Sequence, residues 1–124
     1  LIEARQTNND DKSDEPDMAS KAVAYMKENY SSPDLTMAAL AEMLSISPVT
    51  MSVEFKNRMG VNPSDYLGII RMEKAKELLK TTSLKVKDVS VAVGYEDEHV
   101  FMRRFKKYVG KTPGQYRDEH TKQN

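Results

Sequence analysis

Few side chains in this sequence suit covalent or metal chemistry. None of the 124 residues is Cys, and the imidazoles are His99 and His120. Without thiols neither a disulfide framework nor a thiolate zinc site can form. The run Glu96-Asp97-Glu98-His99 places acids beside an imidazole, but no HExxH-like spacing follows. It reads instead as the negatively charged start of a helix, which the helix dipole favours. No Gly-rich phosphate loop and no Ser/His/Asp arrangement is present, so the sequence predicts neither an enzyme nor a bound cofactor or metal. What remains is recognition by charge. The stretch "RRFKKYVGK", residues 103–111, carries five bases and no acid. A local cationic stripe of this kind decides partners more than the net charge does.

That net charge is zero, and it hides an asymmetry. Residues 1–17 hold six acids against two bases, and the rest of the chain holds 17 bases against 13 acids. Residues 1–17 also lack periodic apolar positions, which predicts a flexible acidic linker or tail. The first residue is Leu1 rather than Met, which suggests a piece of a longer protein. No apolar run is long enough to span a bilayer, and no signal-peptide pattern opens the chain.

The elements that must position the basic stripe are helices. Ala22, Val23, Met26 and Tyr30 recur at helical spacing from Met18 onward. "SSPD" breaks that helix, and Thr36 can cap a short one carrying Met37, Leu40, Ala41 and Leu44. Ser47-Pro48 is a strong start signal, because Ser caps and Pro needs no N–H in the first turn. The helix it opens should end at Gly60. Asn62-Pro63 opens a longer helix to about Lys80. Val86, Val89 and Val93 mark another short helix stopped by Gly94. The next runs from Asp97 or Glu98 to Val109 and stops at Gly110, and Thr112-Pro113 opens the last. The expectation is an all-α fold of about seven helices.

The chain also repeats itself. "FKNRMGVNPSDY" at Phe55 returns as "FKKYVGKTPGQY" at Phe105. Phe55, Gly60, Pro63 and Tyr66 recur 50 residues later, whereas Ala41 and Ser45 pair with Ser90 and Gly94 at an offset of 49. The second copy therefore has one extra residue in its turn. Each copy reads as short helix, tight turn, longer helix and stop, the layout of a helix-turn-helix. A small residue, Ala41 or Ser90, allows the two helices of each pair to approach closely.

With these segments in order, the chain resembles the C-terminal DNA-binding domain of the AraC/XylS family of bacterial transcriptional regulators. The likeness is carried by "LAEMLSISPVTMSVEFKNRMGVNPSDYL", "RMEKAKELL" and "VGYEDEHVFMRRFKKYVGKTPGQYR". It implies a domain over residues 18–120, with a first helix-turn-helix at about 18–60, a linker helix at about 63–80 and a second helix-turn-helix at about 84–118. It also implies sequence-specific binding to double-stranded DNA by two recognition helices in successive major grooves. Further partners it implies are RNA polymerase and an additional sensing or dimerisation domain in the full-length protein. The DNA-binding part is then cytoplasmic, including in relatives anchored to a membrane through another segment. The alternative is a helical protein-interaction module with weakened DNA reading.

Positions three and four apart share a helix face. Met51, Phe55 and Met59, and likewise Phe101, Phe105 and Val109, form apolar stripes expected to face the core. The eight Met residues are read mostly as core gap-fillers. The opposite faces carry Val49, Ser52, Val53 and Lys56 in the first reader, and His99, Met102, Arg103 and Lys106 in the second. The resemblance makes Val49, Ser52, Val53, His99, Met102 and Arg103 base-contacting. Lys56, Lys106 and Lys107 are then phosphate-contacting. An Arg fork can hold guanine O6 and N7 bidentately, and valines can pack on thymine methyls. The sequence departs from the family pattern at Val53, where Arg is common, and at Glu54 and Arg104, where apolar residues are usual. Ser90 stands for the common Ala, and Lys85 for a capping residue.

Overall fold

A computed structural model describes residues 17–121. Along them run α1 (Met18–Asn29), α2 (Met37–Met43), α3 (Pro48–Met59), α4 (Pro63–Thr81), α5 (Val86–Ala92), α6 (Glu98–Val109) and α7 (Pro113–Thr121). The described residues contain no strand. The fold is all-α, with two helix-turn-helix pairs, α2–α3 and α5–α6, separated by the long α4.

Local chemistry accounts for the helix ends. Asp17, Thr36, Ser47, Asn62 and Asp97 each accept a backbone N–H from the first turn, at 2.8 to 3.1 Å. Each thereby satisfies an amide that has no partner within its helix. At α5 the capping position is Lys85, which makes no such bond. Gly60 and Gly110 end the two recognition helices with φ of 85° and 92°. Neither has atoms crowding the place of a Cβ, so backbone conformation alone asks for Gly there.

The turns inside the two pairs open with the same two bonds, and the second then takes one residue more to reach its cap, Asp97 against Ser47. In the first, the Ser45 N–H reaches the Glu42 carbonyl at 3.0 Å and the Ile46 N–H reaches Ala41 at 3.1 Å. In the second, Gly94 N–H reaches Val91 at 3.0 Å and Tyr95 N–H reaches Ser90 at 3.0 Å. Ala41 and Ser90 are fully buried at the crossings. Ser45 adopts φ of 62°, unusual for a residue with a side chain, and Gly94 adopts 102°.

Two apolar cores flank α4. The first gathers Ala22, Met26, Leu40, Met51, Phe55 and Leu67. The second gathers Met72, Ala75, Leu79, Val89, Phe101, Phe105 and Tyr116. Leu67 of α4 therefore serves one core, and Met72, Ala75 and Leu79 of the same helix serve the other. Tyr30, at the end of α1, packs against both. Aromatic contacts reproduce the repeat: Phe55 meets Tyr66 edge-on with centroids 5.6 Å apart, and Phe105 meets Tyr116 in the same way at 5.6 Å.

Several expectations need correction. Met59 is 37% exposed, not core. Eight residues along a helix advance the side chain by about 80° beyond whole turns, so it rotates off the face of Met51. Val109, in the same place of the repeat, is only half-buried. Of the eight Met residues, Met26, Met51 and Met72 are buried and Met18 and Met37 pack against the first core, so most do fill the core, whereas Met43, Met59 and Met102 are exposed. Helix α4 runs to Thr81, in line with the end expected near Lys80. Asp17, read as part of the tail, caps α1 and pairs with Arg58 of α3 at 2.5 Å. It is thus a working part of the folded domain. The flexibility expected for the rest of that segment, residues 1–16, lies outside the described residues.

Candidate nucleic-acid interface

Each recognition helix buries one face and offers the opposite one. In α3, Met51 and Phe55 are wholly buried, while Val49 and Val53 are 73% and 54% exposed. Ser52 and Lys56 are exposed beside them. The exposed valines make a small apolar surface that a folded domain has no internal use for. In α6, Phe101 and Phe105 are wholly buried. His99, Met102, Arg103, Lys106 and Lys107 are exposed. A shallow open depression brings those five residues together with Thr112, at the start signal of α7.

Electrostatics differ between the two faces. Asp97 begins α6, accepts the N–H groups of His99 and Val100, and lies 3.6 Å from His99 Nδ1. Those backbone bonds, led by the one from His99, hold its carboxyl below its ordinary value, and the charge of Arg103 adds to the effect. The carboxylate therefore stays ionised beside Arg103. On α3 the sole cation of the outer face is Lys56. Arg58 points instead to Asp17.

Sequence patterning missed the side chains that hold these helices in place. Arg71 of α4 donates from Nε to the Tyr30 carbonyl and from Nη2 to the Ser32 carbonyl, both at 2.9 Å. Its guanidinium also lies 5.4 Å from the centre of the Tyr95 ring. It joins the end of α1 to the turn of the second pair. Burial lowers its pKa, opposed by Tyr95. Arg117 of α7 does the same for the end of α4, donating to the Leu79 and Thr82 carbonyls at 3.0 and 3.1 Å. Tyr108, in the last turn of α6, donates to Glu73 of α4 at 2.7 Å. That bond chiefly lowers the Glu73 pKa and raises that of Tyr108. Only Arg58 and Tyr108, which occupy the same place in the repeat, carry a sequence signal that could have found them.

Among the described residues, no group of three His, Asp or Glu side chains could hold a metal ion. None of the helices is long and apolar enough to cross a membrane.

Paired helix-turn-helix units with outward-facing recognition helices define a class of DNA-binding protein. Comparison with known proteins agrees: the family described as "Helix-turn-helix domain" matches residues 40–119. The chain belongs to the AraC/XylS family of helix-turn-helix transcriptional regulators. It is 35% identical over 96 residues to the raffinose operon transcriptional regulatory protein RafR of Pediococcus pentosaceus, covering 77% of this chain and 34% of RafR. The chain thus spans about a third of that relative's length. Among solved structures, it is similar to the C-terminal domain of AraT, a response regulator from Geobacillus stearothermophilus. The TM-score is 0.82 at 38% identity, over 84% of this chain and 86% of that one. The DNA-binding domain of AdpA, solved with a target DNA, shares the fold with a TM-score of 0.82 at 23% identity, over 88% of this chain and 97% of that one. Sequence-specific DNA binding is the activity this family assigns to the domain.

Proposed function

We propose that α3 and α6 enter successive major grooves on one face of double-stranded DNA, and that α6 supplies most of the sequence reading. The observation that carries this reading is the contrast between two exposed faces on equivalent scaffolds. The α6 face offers Arg103, His99 and Met102 to base edges, with Lys106 and Lys107 beside them for phosphates. The α3 face offers Val49, Ser52 and Val53 to bases and Lys56 to phosphate. Contact with a thymine methyl discriminates less than a bidentate guanidinium on guanine. The site is therefore non-palindromic and about 20 bp long, since roughly one turn separates neighbouring major-groove readers. Its information is concentrated under residues 99–106.

In the full-length protein, this domain acts in the cytoplasm beside a sensing or dimerisation domain and meets RNA polymerase at a promoter. The relatives' much greater length supports a further domain. Selection of bound duplexes from a random pool, followed by footprinting, tests the reading. On the selected duplex, Arg103→Ala should cost about 1–3 kcal/mol and relax preference at one or two base pairs. Val53→Ala should do little by comparison. A larger loss for Val53→Ala would reverse the assignment of the dominant reader. Binding without dependence on salt would favour the protein-interaction alternative, to which the exposed Val49 and Val53 are also suited.

A further inference from the structure

The surface between the two recognition helices carries a second cationic feature. Arg103 and Arg104 are neighbours in α6, so their side chains leave the helix about 100° apart. Arg103 shares the outer face with His99 and Lys106. Arg104 lies on a flank, and Lys107, three residues on, lies next to it. Both border a groove of about 450 Å³. Its opposite wall is built from Val61, just past the stop of α3, and from Asp65, Gly68 and Ile69 of α4. Arg104 also reaches an adjoining cleft with Thr36, Ser64 and Arg71. Its guanidinium therefore stands between the end of the first reader and the body of the second.

Nothing in the packing calls for a cation there. Arg104 and Lys107 are exposed, and neither belongs to an ion pair formed among the described residues. The equivalent place in α3 holds Glu54, so the scaffold accepts either charge. Arg71 is close enough to Arg104 for their charges to oppose each other, a smaller effect on Arg71 than its burial. Arg71 directs its own donors to the Tyr30 and Ser32 carbonyls. Two guanidiniums and an ammonium thus gather at one seam, against the single carboxylate of Asp65 lining the groove. Such a gathering repels itself until an anion arrives.

Readers in successive major grooves straddle a minor groove, and a sugar-phosphate strand must pass over the surface between them. We propose that Arg104 and Lys107 grip the sugar-phosphate backbone at this central crossing. Helix α6 would then hold DNA by two sides at once, its outer face on bases and its inner flank on phosphate. The inference rests on the two-groove reading above. It adds Arg104 to the DNA contacts and gives Lys107 a specific place among them.

The test uses the selected duplex and the chain as it stands, with Arg104→Gln, Arg104→Lys and Asp65→Asn variants. Circular dichroism melts confirm that each is folded. Neutralising one phosphate contact removes about 0.9 from the salt slope, which is roughly a fivefold loss near 0.15 M salt. Arg104→Gln should show that loss on every sequence alike, Arg104→Lys should restore most of the slope, and Asp65→Asn should tighten binding. A duplex with uncharged methylphosphonates between the two major-groove contacts should weaken the parent chain by more than it weakens Arg104→Gln, which keeps only the Lys107 contact there. If footprints cover both grooves but Arg104→Gln keeps the parent slope, the central grip is wrong and the two-groove reading stands. If no duplex is selected, or only one groove is protected, both fall together.

Discussion

Gly94 lies tightly against the Tyr30 carbonyl at the end of α1, and Gly94→Ala should be far more damaging than its small volume suggests. Its φ of 102° lies outside the range that a side chain adopts easily. An added Cβ would press into the Tyr30 carbonyl oxygen and lie 2.9 Å from Arg71 Nε. The backbone conformation alone costs a residue with a Cβ about 1–2 kcal/mol. The clash adds the displacement of Arg71 from the carbonyls it holds, and a hydrogen bond from a charged donor is worth about 1.5–3 kcal/mol. If one of the two Arg71 bonds is lost, the total is about 2.5–5 kcal/mol. Gly60→Ala is the matched control, because φ there is 85° and nothing lies within 4 Å of the new Cβ. It should cost only the backbone component, about 1–2 kcal/mol. Urea unfolding followed by circular dichroism measures both. Equal losses at the two glycines would refute the close approach between Tyr30, Arg71 and Gly94.

Other substitutions probe the repeat from different sides. Ser45 holds the same turn position at φ 62° without being Gly, so Ser45→Gly should stabilise the domain by about 0.5 kcal/mol in the same unfolding assay, the backbone relief being partly offset by unfolded-chain entropy. Phe105→Ala empties the centre of the second core and should cost about 3–5 kcal/mol. Asp17, Glu73 and Asp97 all have carboxyl pKa values below their ordinary 3.8, 4.5 and 3.8. Each therefore contributes stability that is complete above those ordinary values and disappears as pH falls through the lower folded-state values. An acid titration monitored by circular dichroism should accordingly show loss beginning below about pH 4.5, and Asp17→Asn should flatten its acid limb.

Local signals made most of the architecture legible. Ser47-Pro48, Asn62-Pro63 and Thr112-Pro113 announced helix starts, Gly60 and Gly110 announced stops, and the repeat located the paired turns. These features act over a few residues, so their meaning does not depend on the rest of the chain. The joints were different. Arg71 reads in sequence as one more charge on a long helix, yet it reaches carbonyls 39 and 41 residues away. Arg117 does likewise over 35 and 38 residues. Only the tertiary path brings those carbonyls into reach. Met59 failed for a geometric reason, since a stripe extended over eight residues drifts away from its starting face. At the candidate interface, Val49, Val53, Arg103 and Lys106 were recognisable as one side of their helices. Arg104 was noticed only as a departure, because its surroundings come from α2 and α4.

The two units of the repeat are not separate pieces joined by a tether. Helix α4 closes the first by contributing Leu67 and opens the second by contributing Met72, Ala75 and Leu79. A cut on either side of it would strip one half of a wall and leave apolar side chains of the shared helix facing water. The readers consequently cannot be exchanged like beads on a string. A chimera between relatives must carry α4 with both of its neighbours' contacts intact, or else rebuild one of its faces. The repeat supplies two readers, but the shared helix makes them one unit.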